Sequence, residues 1–68
     1  MEAENYQKEK KEVEGWMINI TTYKIGERYY CHIDNVSPGA TIARTQGDSR
    51  EEARELALQK ATRRLQLY

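Results

Sequence analysis

The sequence contains few of the residues that build disulfide-linked or metal-centred proteins. It has one cysteine, one histidine and one proline among 68 residues, and no phenylalanine. A single cysteine cannot form an intrachain disulfide, and one cysteine with one histidine cannot complete a four-ligand zinc shell without suitably placed carboxylates. The carboxylates of this chain are not spaced for such a site, so we expect neither a metal nor another cofactor.

Long apolar runs and an excess of charge are missing as well. No run approaches the roughly 18 residues that a membrane span needs, and the first residues lack the apolar segment of a signal peptide. The 11 basic side chains balance 11 acidic ones, with a net charge of −2 on residues 1–14 and +2 on the other 54. Proteins that bind polyanions usually have a clear basic excess. We expect a cytoplasmic protein of bacterial type that has no membrane contact and does not favour nucleic acid.

The first 14 residues carry no pattern that predicts a packed element. Tyr6 and Val13 are their only sizeable apolar side chains, so no apolar stripe is present to dock on a core. We interpret residues 1–14 as a flexible or weakly helical tail and residues 15–68 as one small domain. The alternative is a partner-binding arm, or a first helix completed on dimerisation.

The next two segments predict a β-hairpin. Residues 16–25 and 28–34 are rich in β-branched and aromatic side chains. Gly26 and Glu27 between them suit a two-residue type II′ turn, because glycine accepts the positive φ of the first central position. In the resulting register Tyr23 lies opposite Tyr30.

This register separates an apolar face from a mixed face, as expected when one side of a sheet is buried. The apolar set is Trp16, Ile18, Ile20, Tyr29, Cys31 and Ile33. The mixed set is Met17, Asn19, Thr21, Tyr23, Tyr30 and His32. A shift of one residue would destroy the separation, which supports the hairpin.

A third strand and a helix complete the predicted fold. Pro38 and Gly39 fit the centre of a type II turn, and residues 41–46 follow as a strand of ambiguous alternation, since Ile42 and Ala43 are adjacent. A helix is predicted over 49–66, where a capping box precedes an apolar stripe of Ala53, Leu56, Ala57, Ala61 and Leu65. The predicted class is α+β, a three-stranded antiparallel sheet with a C-terminal helix on one face.

Two features of the predicted sheet could take part in catalysis, a polar trio around His32 and the thiol of Cys31. His32, Asp34 and Asn19 form a potential acid–base trio on the mixed face, but an open sheet gives them no walls, and catalysis needs an oriented nucleophile as well. Cys31 belongs to the apolar face, where burial makes a thiol unreactive. We therefore expect no enzymatic activity and no catalytic residue.

The mixed face is the candidate protein-interaction site. Its largest members are Met17, Tyr23, Tyr30 and His32, with Ile25 beside them. Exposed aromatic clusters often mark protein contacts. Because a sheet covered on one side leaves its other face free, we expect self-association to a homodimer or binding of a small protein partner.

Three short motifs between Arg28 and Leu65 occur in a recognisable order. They are the paired Tyr29-Tyr30 in a strand, the turn Ser37-Pro38-Gly39, and Gly47-Asp48-Ser49 opening a helix that continues with Glu52-Ala53. In this the chain resembles the N-terminal domain of HicB-type antitoxins. The resemblance implies contact with a small toxin-type ribonuclease or with a second copy. The residues that follow the helix are too few for the DNA-binding part of such antitoxins, so operator binding is not implied. The span before Gly47 is longer than the family pattern, so we expect an extended or bulged third strand.

The helix also gives a second, weaker resemblance. The spacing of Ser49, Ala53, Ala57, Ala61 and Leu65 is similar to the last helix of double-stranded-RNA-binding domains, with residues 1–14 in place of the first helix. The resemblance implies RNA contacts through basic residues of the helix, namely Arg50, Arg54, Lys60, Arg63 and Arg64. The phosphate-gripping lysines of that family are replaced by Glu51 and Glu52, which would repel phosphate. RNA binding is therefore the alternative and not the favoured function.

Overall fold

The computed structural model describes residues 4–36 and 39–67, and within them the chain forms a four-stranded antiparallel meander followed by a helix. The elements are β1 (Glu4–Val13), β2 (Trp16–Ile25), β3 (Arg28–Asn35), β4 (Thr41–Gly47) and α1 (Arg50–Leu65). Strand order in the sheet is β1-β2-β3-β4, and α1 packs on β2, β3 and β4. The α+β class and the C-terminal helix are confirmed, whereas the predicted number of three strands is wrong.

The additional strand lies in the segment that was predicted to be a tail. Glu4–Val13 pairs antiparallel with β2 through a tight turn whose central residues, Glu14 and Gly15, have φ values of 53° and 80°. Two positive φ values are what a type I′ hairpin turn requires. All of β1 except Val13 is exposed, because it lies at the edge of the sheet beyond the strands on which α1 packs. A strand that buries neither face needs no apolar alternation, so its sequence carries none.

The β2–β3 hairpin has the predicted register. Tyr23 lies opposite Tyr30 and Ile20 opposite Ile33, and Gly26 has a φ of 62°, as the first position of a type II′ turn requires. The predicted core face is confirmed at Ile18, Ile20, Cys31 and Ile33, each at most 2% exposed. Trp16 differs, since it is 37% exposed at the far end of β2.

A bulge in β4 resolves the ambiguous alternation of the third predicted strand. Ile33 pairs with Ala43 and Asp34 with Thr41, which leaves Ile42 as an extra residue on β4. Such a bulge reverses the alternation locally, so Ile42 and Ala43 are both buried although they are adjacent. The bulge expected from the long span before Gly47 is therefore present. Of the predicted Pro38–Gly39 turn, Pro38 lies outside the described residues, and Gly39 has a φ of 89°.

The helix packs on the sheet through small side chains. Ala53, Ala57 and Ala61 are fully buried and Leu65 is 2% exposed, whereas Leu56, predicted to belong to this stripe, is 40% exposed. At the other flank Leu58 packs against the core, so the buried stripe is rotated relative to the prediction. The Ser49 hydroxyl accepts a hydrogen bond from the Glu52 amide at 3.1 Å, the interaction of an N-cap.

Close approach of α1 to β4 also fixes Gly47. A Cβ at this position would lie 3.0 Å from the Cγ of Glu52 and 3.1 Å from the backbone nitrogen of Ala53. The Thr45 hydroxyl donates a 2.6 Å hydrogen bond to the Ala53 carbonyl, which ties the strand to the first turns of the helix. The described part of the chain contains no helix of the length and apolarity needed to cross a membrane.

Candidate functional site

A row of stacked tyrosines lies on the side of the sheet opposite α1, here called the open face. The ring centroids of Tyr6 and Tyr23 are 5.1 Å apart with 22° between the ring planes, and those of Tyr23 and Tyr30 are 5.7 Å apart with 15° between them. The three residues come from β1, β2 and β3, whose backbones are about 4.8 Å apart in a sheet. One ring per strand is thus stacked on the next, and we call this set the tyrosine stack.

Tyr6 is the member that sequence reasoning missed, and the pairing of β1 with β2 places it there. Between the pairs Glu4–Lys24 and Gln7–Thr22, two residues of β1 lie opposite Tyr23 alone. Asn5, the first of them, has a φ of 57°, a conformation that asparagine tolerates better than most residues. The register that starts at the Glu14–Gly15 turn runs unbroken to Gln7–Thr22, so Tyr6 is the next residue and lies on the open face opposite Tyr23, where it is 63% exposed as a residue. The bulge falls at Asn5, beyond Tyr6. The sequence signal for this placement was the hairpin turn at Glu14 and Gly15, which sets the register of β1.

The imidazole of His32 completes the cluster. Its ring centroid lies 5.9 Å from that of Tyr23 in an edge-on arrangement, and its Nε2 is 3.7 Å from Oδ2 of Asp34. The other oxygen of Asp34 accepts a 2.8 Å hydrogen bond from the Thr41 hydroxyl. The Asp34 carboxylate therefore contacts both His32 and Thr41 on an open sheet surface that forms no cleft around them. Asn19 pairs with Asp34 in the β2–β3 register, so the predicted trio is adjacent, but the arrangement resembles a positioned surface patch more than an acid–base relay.

The four predicted interaction residues do not form one cluster. Tyr23 contacts both of its neighbours, since its ring stacks on that of Tyr30 and meets that of His32 edge-on. Met17 shares the open face and is 45% exposed, but it lies six residues from Tyr23 along β2, about 20 Å away at the rise of a strand. Between them Thr21 is only 4% exposed, and its hydroxyl has no hydrogen-bond partner among the described residues. The open face is therefore densely packed at its centre.

The geometry of the tyrosine stack limits what it can bind. Single-stranded nucleic acids are held by bases stacked on free aromatic faces. Here Tyr23 has one ring face turned to Tyr6 and the other to Tyr30, so the central ring presents its edge and hydroxyl group and has no free face on which a base could stack. Amphipathic ring edges of this kind suit contacts with protein.

Two of the five predicted RNA-contacting residues are engaged within the chain. The Nε of Arg54 donates a 2.6 Å hydrogen bond to the Glu9 carboxylate, and this bond raises the pKa of Arg54 above its ordinary value. Arg50 donates a 2.7 Å hydrogen bond to the Asn5 carbonyl and lies 5.6 Å over the ring of Tyr29. Both arginines therefore tie β1 to the helix.

The other three basic residues, Lys60, Arg63 and Arg64, are exposed in the second half of α1. Lys60 and Arg64 border β4, whereas Arg63 borders a separate depression with Gln59. The five basic residues thus form no common surface. The prediction that residues 1–14 supply a first helix is also wrong, because Glu4–Val13 is a strand.

Cys31 is not part of the open face. It is 2% exposed in the core, and burial raises its pKa to about 11, while the nearby charges of Arg54 and Glu9 have smaller and opposite effects. The thiol is thus protonated at neutral pH. In the part of the chain that the structure describes, no group of three His, Cys, Asp or Glu side chains is placed to hold a metal ion.

Comparisons with known proteins add no relative. No family model matches the chain, and neither the comparison with curated proteins nor that with solved structures found a match.

Proposed function

We propose that this chain is a non-enzymatic protein-interaction module whose open face binds a second copy of the same chain. The observation that carries the proposal is the tyrosine stack, three aromatic side chains aligned across β1, β2 and β3 on the face that α1 leaves uncovered. Stacking restricts the rings before any partner binds, so little side-chain entropy is lost on association.

The charges around the tyrosine stack are compatible with self-association. Lys8 and Lys10 of β1 lie opposite Thr21 and Asn19 in the strand register, which puts both lysines on the open face. Arg44 of β4 lies opposite His32 of β3 and is on the same face. Asp34 and Glu12 supply the opposite sign on the same face. Two such faces offer carboxylates to each other's cations. Packed sheets lie about 10 Å apart, a distance that tyrosine and methionine side chains span.

The same face suits a heterologous partner of the same class. The resemblance of Arg28 to Leu65 to HicB-type antitoxin domains supports a small toxin-type ribonuclease as such a partner, and with it a cytoplasmic location in a bacterium. Binding of that partner would bury the tyrosine stack in place of the second copy. The RNA-binding alternative is not proposed, because Arg50 and Arg54 are engaged with β1.

Sedimentation equilibrium tests the proposal, with protein concentrations from about 10 to about 500 µM because dimer population depends on protomer concentration. The wild-type chain is expected to form a dimer over this range. Tyr23→Ser removes the central ring, and Tyr6→Ser removes a ring that is 63% exposed and therefore contributes little to folding. Each is expected to raise the dimer dissociation constant at least about tenfold, or about 1.4 kcal/mol.

The matched control is Leu67→Ser, which removes an apolar side chain that is 82% exposed and lies after α1. It is expected to leave the dissociation constant unchanged. A monomer at every concentration would refute self-association through the open face. So would a dimer whose stability responds equally to Tyr6→Ser and Leu67→Ser.

A further inference from the structure

The outer edge of β4 is a second surface with its own chemistry. β4 is the last strand of the sheet, so its outward N–H and C=O groups have no neighbouring strand among the described residues. Exposed edges of this kind pair readily with an added strand. The residues along it are Thr41, Ile42, Ala43, Arg44, Thr45 and Gln46.

A groove runs along this edge between β4 and α1. It consists of two adjoining depressions of about 500 and about 390 Å³, which share Arg44 and Lys60 as lining residues. Leu56 lines the larger depression and Arg64 the smaller one. The helix wall is thus built by residues 56, 60 and 64, which are spaced four apart and lie on one side of a helix.

The groove is basic at the Thr41 end. Lys60, Arg64 and Arg44 are all exposed there, and the first two face the strand edge from the helix. Leu56, 40% exposed, provides an apolar contact about one helical turn before Lys60. The acidic residues Glu51 and Glu52 belong to the first turn of α1, at the opposite end of the groove. Arg44 lies opposite His32 and borders the edge from the open-face side, whereas Leu56, Lys60 and Arg64 border it from the helix side. The main-chain groups of β4 therefore lie between one cation on the open-face side and an apolar contact with two cations on the helix side.

We infer that the β4 edge and this groove bind an extended acidic peptide of another protein, which adds to the sheet as a fifth strand. Main-chain hydrogen bonds to β4 hold the peptide. Because side chains of a strand alternate between the two sides of the sheet, the carboxylates on the side that faces α1 pair with Lys60 and Arg64 beside Leu56, and the side chains between them lie near Arg44 on the open-face side. The larger depression is also lined by Tyr30 of the tyrosine stack, so the groove adjoins the open face at β4. The inference does not rest on the proposed dimer, because the peptide pairs with the backbone of β4 and not with the rings.

Charge argues against a second copy in this groove. If two β4 edges paired around a two-fold axis, Arg44, Lys60 and Arg64 of both copies would be brought together, and like charges on adjoining strands are destabilising. An acidic segment instead gains from all three cations. The β1 edge does not compete, because the run of charged residues from Lys8 to Glu12, three of them lysines, is of the type that discourages strand addition.

The test uses a fluorescent, end-blocked eight-residue peptide of alternating valine and glutamate. Fluorescence anisotropy gives its affinity, and amide chemical shifts of the ¹⁵N-labelled protein give its location. We expect binding below about 1 mM, weakening as salt is raised, with shifts concentrated at Thr41–Gln46. A peptide of alternating valine and lysine, and one with proline in place of valine, are expected not to bind.

Charge-reversal variants provide the matched pair. Lys60→Glu combined with Arg64→Glu is expected to weaken binding of the valine–glutamate peptide at least about tenfold, whereas Arg63→Glu, on the same helix but outside the groove, changes it by less than about twofold. Circular dichroism checks that each variant is folded.

The inference is overturned if the valine–glutamate peptide does not bind up to about 1 mM, or if the lysine peptide binds equally well. It is also overturned if Arg63→Glu weakens binding as much as the double variant, or if the shifts lie on Tyr6 and Tyr23 instead of β4. A dimer that forms through β4 in the absence of peptide would contradict it as well.

Discussion

β1 and β4 are the two edge strands of the sheet, and different interactions hold each of them in place. β1 has ten residues, nine of them exposed, and is joined to the rest by pairing with β2 and by two arginines of α1. β4 has seven residues and inserts both residues of its bulge, Ile42 and Ala43, into the core beneath α1. One edge is therefore fixed by apolar burial, and the other by a turn, a bulge and polar bridges. Both edges lack a neighbouring strand on their outer side among the described residues, but only β4 has a groove formed with α1 beside it.

The largest expected difference between the edges concerns stability. Ile42→Ala on β4 removes a side chain that is 4% exposed and should lower the free energy of unfolding by about 3 kcal/mol. Lys11→Ala on β1 removes an exposed side chain and should change it by less than about 0.5 kcal/mol. Urea denaturation followed by circular dichroism measures both. Equal losses would mean that the edges are not held by different forces.

The free energy of unfolding is expected to depend on pH through the buried thiol of Cys31. Burial raises the pKa of Cys31 from 9.0 to about 11 in the folded chain, so folding favours the protonated thiol. Its contribution to stability is complete below pH 9 and is lost as pH rises from about 9 to about 11. Urea midpoints between pH 8 and 11 should therefore fall more steeply for the wild type than for Cys31→Ala. Parallel curves would contradict the assigned burial.

The rate at which a thiol reagent labels Cys31 shows which edge strand separates from the core. Cys31 pairs with Thr45 on β4 and Thr22 on β2, so it becomes reachable when β4 or α1 separates from the core. Ile42→Ala should speed its labelling by a thiol reagent. Gly15→Ala, which loosens β1 alone, should leave the rate close to that of the wild type. Faster labelling in both variants would show that the edges open together.

A loss of stability of intermediate size is expected from substitutions in the turn between β1 and β2. Gly15 has a φ of 80° and open space where a Cβ would stand, so Gly15→Ala introduces backbone strain without a clash and should cost about 1 kcal/mol. Gly15→Asn is the control and should cost less, because asparagine tolerates positive φ. Hydrogen exchange should become faster for amides of β1 and stay unchanged for those of β4. Uniform acceleration across the sheet would contradict independent edges.

The smallest expected effect belongs to the bridge between α1 and β1. A double-mutant cycle of Arg54→Ala and Glu9→Ala should give a coupling of about 0.5 to 1 kcal/mol, because both side chains are partly exposed and the pair is screened by solvent. The coupling should shrink in high salt. The charge-matched comparison is Arg63→Ala with Glu9→Ala, for which no coupling is expected.

How much of this fold the sequence predicts depends on which forces hold each part. The β2–β3 register follows from two features of the sequence. The hairpin turn requires Gly26, and the buried face of the sheet requires apolar alternation. The same reasoning does not predict β1, because Glu9 and Lys11 occupy the helix side of the sheet where no apolar side chain of α1 covers them, and Glu9 instead accepts a hydrogen bond from Arg54. The strand ambiguity at Ile42 comes from a bulge, which interrupts the period that the prediction uses.

The site was predictable only in part for the same reason. Tyr23, Tyr30 and His32 were placed on one face by the register alone. Tyr6 was missed because its segment was interpreted as a tail, whereas pairing of β1 with β2 brings Tyr6 opposite Tyr23. Met17 was grouped with the rings although it lies near the other end of β2. The groove of β4 depends on Leu56 turning away from the core, which a helical stripe of apolar residues does not reveal.

The most direct test of the central claim, that the open face is the site of association, is a dilution series of amide chemical shifts. Between about 500 and about 10 µM, concentration-dependent shifts are predicted at Tyr6, Tyr23, Tyr30 and His32 and their neighbours on the open face, with α1 and the β4 edge unchanged. Shifts confined to Thr41–Gln46, or an absence of any concentration dependence, would contradict the claim.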